Sequence, residues 1–166
     1  MKIGIAYPHT NLGHGSPPSD ALAVLIRETA CELARTDTVT IFGNRRSGQA
    51  RQEIMDGARL YRISVAMDQA LGQLRRLDGV LFPLPAKPFR STPAYYWNFG
   101  RSVIREAGRQ DLDVVHVHAV PNFLPALRRM APRTRIVFHA HDHRMTSYDA
   151  ARVHKMLAAA DLILGC

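Results

Sequence analysis

Asp113-Val114-Val115-His116-Val117-His118 and Arg135-Ile136-Val137-Phe138-His139-Ala140-His141 are two apolar runs separated by a helical stretch over residues 121–130. Runs of this kind read as strands buried on both faces, and a helix between two of them makes a βαβ unit of a parallel sheet. Both runs end in a His-x-His string, so the same residues that set the fold also carry candidate chemistry.

Working outward toward the amino terminus, residues 2–7 form a first strand. Ser19 or Asp20 caps a helix to about Arg35, with Leu22, Ile26, Ala30 and Leu33 on one face. Residues 38–42 are a second strand ended by Gly43-Asn44, and residues 59–64 alternate as a third strand before a short helix over 67–77. Pro83, Pro85, Pro88 and Pro93 make 82–92 an irregular loop, and a loop of that length in a compact domain is often functional. Helical pattern returns from Pro93 to about Gly108. Tyr95, Tyr96, Trp97 and Phe99 fall at positions too close together to face one ligand, so aromatic packing is their expected role. On the carboxyl side, a helix over 147–160 leads to a sixth strand over 161–166.

Six strands with crossover helices give an α/β class: a Rossmann-like, doubly wound, mostly parallel sheet with the order 3-2-1-4-5-6. Ligands of such sheets sit beyond the carboxyl ends of the strands near the switch point, which selects the loops after Tyr7, His118 and His141. A length of 166 residues suits one domain over 1–166. Ending on an apolar strand leads us to expect a further element beyond it.

Composition narrows the function classes. The net charge is +8, carried by arginines with only Lys2, Lys87 and Lys155 as lysines. Arginine forks suit phosphate, carboxylate or an anionic membrane surface. The pairs Arg45-Arg46, Arg75-Arg76 and Arg128-Arg129 are scattered and not interleaved with stacking aromatics, which disfavours nucleic acid. Pro8 and His9 interrupt the first apolar run before a signal peptide or span is complete, so a cytoplasmic chain, peripheral to a membrane at most, is expected. Cys31 and Cys166 supply neither a disulfide framework nor a paired metal spacing.

Three groups of residues carry candidate chemistry. Gly13, His14 and Gly15 follow the first strand, where glycines admit a ligand close to backbone and a helix amino terminus favours phosphate. Pro18 stands where a dinucleotide fingerprint needs its third glycine, which disfavours a nicotinamide enzyme. Period-two geometry puts His116 with His118, and His139 with His141, on one face of their strands, so four imidazoles converge. The inner pair, His116 and His139, is expected to be buried and bonded to backbone; the outer pair, His118 and His141, is expected to face ligand. The run His141-Asp142-His143-Arg144 adds groups able to bind sugar hydroxyls or phosphate.

Taken together, the opening Lys2-Ile3-Gly4-Ile5-Ala6-Tyr7-Pro8 with its glycine-bearing loop, the 113–118 string, Ile136-Val137-Phe138-His139-Ala140-His141-Asp142 and the ending Ala160-Asp161-Leu162-Ile163-Leu164-Gly165-Cys166 resemble the amino-terminal domain of family 4 glycosyltransferases. The resemblance implies the amino-terminal half of a GT-B enzyme of hexosyltransferase type. Such an enzyme moves a sugar with retention from a nucleotide-sugar donor to a sugar, glycolipid or small-molecule acceptor, with no bound metal or other cofactor. It further implies a carboxy-terminal donor-binding domain that this chain lacks, leaving residues 1–166 incomplete as a catalyst. His141 matches the histidine lying against the donor sugar, and Gly13, His14 and Gly15 match the donor-phosphate loop, although His14 splits the usual glycine pair. His118, Asn122, Asp142 and Arg144 fall to the acceptor side. Two other readings remain open: a metal-dependent hydrolase on the His-x-His strings and a non-catalytic Rossmann-like binding module.

Overall fold

The computed structural model of the chain describes residues 1–9, 21–73, 89–141, 145–146 and 148–165. In chain order the elements are β1 (Lys2–Ala6), α1 (Ala21–Leu33), β2 (Thr38–Asn44), β3 (Gln52–Met55), β4 (Ala58–Ile63), α2 (Ala66–Gly72), α3 (Trp97–Gln110), β5 (Val114–His118), α4 (Leu124–Met130), β6 (Arg135–Ala140), α5 (Ala150–Leu157) and β7 (Leu162–Gly165). Single 3-10 turns at Phe89–Ser91 and Pro121–Phe123 precede α3 and α4.

Among the described residues, one seven-stranded sheet runs β3-β4-β2-β1-β5-β6-β7. Every pairing is parallel except β3 with β4. Removing β3 leaves the expected 3-2-1-4-5-6 order. The additional strand is a hairpin turned by Asp56 and Gly57, both at positive φ, as a tight two-residue turn requires.

The chain leaves β1 in one direction toward β2 and, after β5, in the other toward β6 and β7. Right-handed crossovers then place the helices on opposite faces. One face packs Ile3, Ile5, Val39, Ile41 and Leu60 against Ala23, Ile26 and Ala30 of α1. The other packs Ala6, Phe42, Val115, Val117, Ile136 and Phe138 against Phe99, Val103 and Ala107 of α3 and Leu124 and Leu127 of α4.

Helix α3 begins without a cap of its own: Tyr96, before its first residue, is left-handed at φ 55 and makes no side-chain cap. The buried carboxylate of Asp68 in α2 serves instead, accepting the backbone N–H groups of Asn98 at 2.8 Å and Phe99 at 3.0 Å. Burial pushes the Asp68 pKa up, while those two donors pull it down. Close approach of α3 to the turn before α4 depends on Gly100, where an added Cβ would come within 2.6 Å of Phe123 Cβ. The helix expected over 147–160 is shorter, Ala150–Leu157, because Asp149 caps it by accepting from Arg152 N. Strand β7 is less covered than its apolar sequence suggests, with Leu162 and Ile163 about half exposed.

Candidate functional site

Parallel ladders set residues in register on a common face. His116 is opposite Ile5, which packs beneath α1, and His118 is opposite His139. The four imidazoles of His116, His118, His139 and His141 thus gather on the α1 side of the sheet, toward its carboxyl end. The ring centroids of His116 and His118 are 4.1 Å apart, those of His139 and His141 3.9 Å. Across the strands, the His116 and His139 rings are nearly parallel with centroids 5.7 Å apart, and the His118 and His141 rings nearly parallel at 5.1 Å, with interplanar angles of 7° and 9°. A hydrogen bond at 2.9 Å joins His118 Nδ1 to His141 Nε2.

Burial divides the four differently from the expectation. His118, of the outer pair, is the buried ring at 4% exposure; His116, His139 and His141 are half-buried. The cause is local. Ala119 adopts φ 64, and Val120 N–H donates back to His118 O, so the chain folds over the strand end, while Tyr7 meets the His118 ring edge-on at 6.5 Å. Positive φ at an alanine is strained and tends to occur at functional sites. His116 also departs from expectation, because its Nε2 is enclosed with no hydrogen-bond partner among the described residues.

Desolvation, with the neighbouring imidazoles adding to it, pushes His116 down to about 4 and His118 down to about 2. Desolvation also lowers His139. His116 and His118 are therefore neutral at pH 7, and each has one donor and one acceptor nitrogen.

The remaining candidates are placed as follows. Gly13, His14, Gly15, Asp142 and Arg144 lie outside the described residues. Asn122 is 7% exposed, and its amide donates to Arg90 O at 2.8 Å and Thr92 O at 2.9 Å. Its visible work is to hold the turn that enters α3.

Near the carboxyl end of β1 opens a cleft of about 310 Å³ whose lining includes His9, Asp68, Phe89, Arg90, Tyr95 and Tyr96. Tyr96 OH is 3.0 Å from His9 Nδ1, and His9 meets Tyr7 and Tyr96 edge-on. Reading the sequence missed this cleft, since His9 served there only to interrupt an apolar run and the tyrosines were assigned to packing. The available signal was the place of His9, three residues past the end of β1 at the switch point. Phenol, imidazole and guanidinium groups around an aromatic wall suit a polyhydroxylated ligand.

Comparisons with known proteins agree with this architecture. The sequence profile of Glycosyltransferase Family 4 matches residues 22–165. No curated protein matches by sequence. The sucrose-phosphate synthase of Thermosynechococcus elongatus superposes with a TM-score of 0.59 at 12% identity, covering 98% of this chain and 41% of that one. A second structure of that synthase, of a shorter chain, gives 0.60 at 11% identity, covering 99% of this chain and 76% of that one. At such identities the likeness establishes the fold, that of a GT-B Rossmann-like domain, and the chain spans well under half the length of the first of these structures. With its profile matched over residues 22–165, from α1 to the last strand, the chain belongs to Glycosyltransferase Family 4.

Proposed function

We propose that the chain is the amino-terminal, acceptor-holding half of a retaining glycosyltransferase of hexosyltransferase type, which moves a sugar from a nucleoside-diphosphate donor to an acceptor. The observation that carries the reading is the His118–His141 hydrogen bond at the carboxyl ends of the two strands beyond the switch point. The imidazole of His141, bonded to the buried ring of His118, is suited to bond a hydroxyl of the donor sugar as charge develops at the reacting carbon. Gly13, His14 and Gly15 would approach the donor phosphates, and Asp142 and Arg144 would contact the acceptor. The acceptor, a sugar, glycolipid or small molecule, would occupy the cleft of His9, Arg90, Tyr95 and Tyr96, with Asn122 fixing its rim. His118 then acts through His141.

In this reading a carboxy-terminal domain binds most of the donor, so residues 1–166 alone do not turn over. The transfer requires no metal or other cofactor, because the diphosphate leaves against protein donors. We place the protein in the cytoplasm, peripheral to a membrane at most. Among the described residues no helix is long and apolar enough to cross a membrane. Arg101, Arg129 and the half-exposed Trp97 line one groove between α3 and α4, which suits contact with an anionic surface.

The test is an assay of the protein carrying its full reading frame against a panel of nucleotide-sugars, with product anomers assigned by NMR. Retained configuration, together with loss of turnover in His141→Ala, is the expected result. Inversion, or undiminished turnover in that variant, would refute the assignment.

A further inference from the structure

The histidine cluster offers more nitrogen than one sugar contact at His141 requires. One ring nitrogen from each of His116, His118 and His139 lies within 4.8 Å of the other two. His118 and His139 are paired in register across β5 and β6, and His116 lies two residues before His118, between Ile5 of β1 and Val137 of β6. His116 Nε2 is enclosed and finds no hydrogen-bond partner among the described residues, an uncommon state for a buried ring nitrogen. His118 turns Nδ1 to His141 Nε2, which leaves Nε2 as the nitrogen it has to offer. A histidine whose second nitrogen is oriented by a polar partner is the ordinary form of a metal ligand.

We propose that His116, His118 and His139 bind a single divalent cation of the zinc class, with His141 orienting His118 from outside the coordination sphere. Three imidazoles without a carboxylate select zinc, nickel or copper over magnesium or calcium. Zinc–nitrogen bonds of about 2.0–2.1 Å at tetrahedral angles need nitrogens roughly 3.3 Å apart, so the rings close on the ion by side-chain rotation of about an ångström. The fourth position is left for water or an anion. This site shares the His118–His141 hydrogen bond with the transfer chemistry proposed above, but zinc binding is read independently of turnover.

The test uses the purified protein stripped of metal by chelation and returned to chelator-free buffer. Calorimetric titration with Zn²⁺ is expected to show one saturable site per chain, and Mg²⁺ none. Substitution by Co²⁺ is expected to give visible ligand-field bands of a four-coordinate ion, with X-ray absorption reporting imidazole scattering. His116→Gln and His139→Gln should each weaken zinc at least 10-fold, while His154→Gln, on the exposed face of α5, should leave it unchanged. Circular dichroism establishes that each variant is folded. Should His116→Gln fail to fold, His139→Gln and the cobalt spectrum of the unaltered protein decide the matter. Absence of saturable zinc binding, zinc affinity unchanged in a folded His139→Gln, or six-coordinate cobalt without imidazole scattering would each overturn the site.

Discussion

His118 Nδ1 and His141 Nε2 lie 2.9 Å apart, one on a buried ring at the end of β5 and the other on a half-buried ring just past β6. The bond couples the two rings, so the orientation of each depends on the other. Under the proposed function, His141→Ala is expected to lower kcat about a hundredfold with melting temperature little changed, since a contact that tightens in the transition state is worth a few kcal/mol. His118→Ala is expected to lower both kcat and stability. His118→Asn, whose amide reaches where Nδ1 lies, should restore part of kcat. Full activity in His118→Ala would show that His141 needs no such support.

Asp68 supplies from α2 the cap that α3 lacks. Its replacement by alanine leaves the backbone donors of Asn98 and Phe99 buried without their carboxylate, at a cost of about 1–2 kcal/mol. Thermal unfolding should show a fall of roughly 2–4 °C per kcal/mol for a chain of this size. Asp68→Asn, retaining one acceptor, should fall between the two. A melting curve of Asp68→Ala superimposable on the parent would remove Asp68 from the account of α3.

Gly100 is a helix-interior glycine, where alanine ordinarily gains about 1 kcal/mol. Here the added methyl meets Phe123 at its Cβ and Cγ, atoms that a rotamer change does not carry far. Overpacking of this sort costs about 1–3 kcal/mol, so Gly100→Ala should be destabilising in denaturant titration. Repeating it in a Phe123→Leu background should reduce the penalty, as expected for residues in direct contact.

Asp161 ties β7 to β6 and α4. Its backbone N–H donates to Ile136 O, and its carboxylate accepts from Ile136 N at 2.7 Å and from Arg128. The Ile136 N–H and the Arg128 guanidinium hold its pKa below the ordinary 3.8. A depressed carboxylate contributes stability that is fully present above the unfolded value and is lost as pH falls from there through the folded one. The parent protein should therefore lose more melting temperature than Asp161→Asn between about pH 5 and pH 2. Parallel curves would place the acid sensitivity elsewhere.

How far these features can be read from the residues varies with their range along the chain. The runs ending at His118 and His141 are uninterrupted and apolar, so strand identity and the convergence of their histidines follow from period two alone. The hairpin at the sheet edge carries the Asp56-Gly57 turn signal, but Gln52-Glu53-Ile54-Met55 is too weakly alternating to announce a strand beside it. Which histidine is buried depends on a left-handed Ala119 and on Tyr7 from another strand, neither of which leaves a mark in the local pattern. The His9–Tyr96 contact joins residues 87 positions apart on two loops, and no local periodicity encodes it.

Strand β1 is the central stave of the sheet, yet its partner toward the histidines lies far along the chain: Lys2 N–H donates to Asp113 Oδ2, 111 residues away, and Asp113 N–H returns a bond to Lys2 O. The β5-α4-β6 unit closes over a short loop, whereas seating β1 beside β5 closes one spanning most of the molecule, and loop entropy together with high contact order makes such steps slow. Folding should therefore pass through a late event in which the half built from β1 to β4 and the half built from β5 to β7 dock along the β1–β5 seam. Asp113→Ala would retard refolding, and substitutions within β7 would mostly hasten unfolding. The histidine cluster, built from β5, β6 and the residue just past β6, would then be assembled before the switch-point cleft it borders.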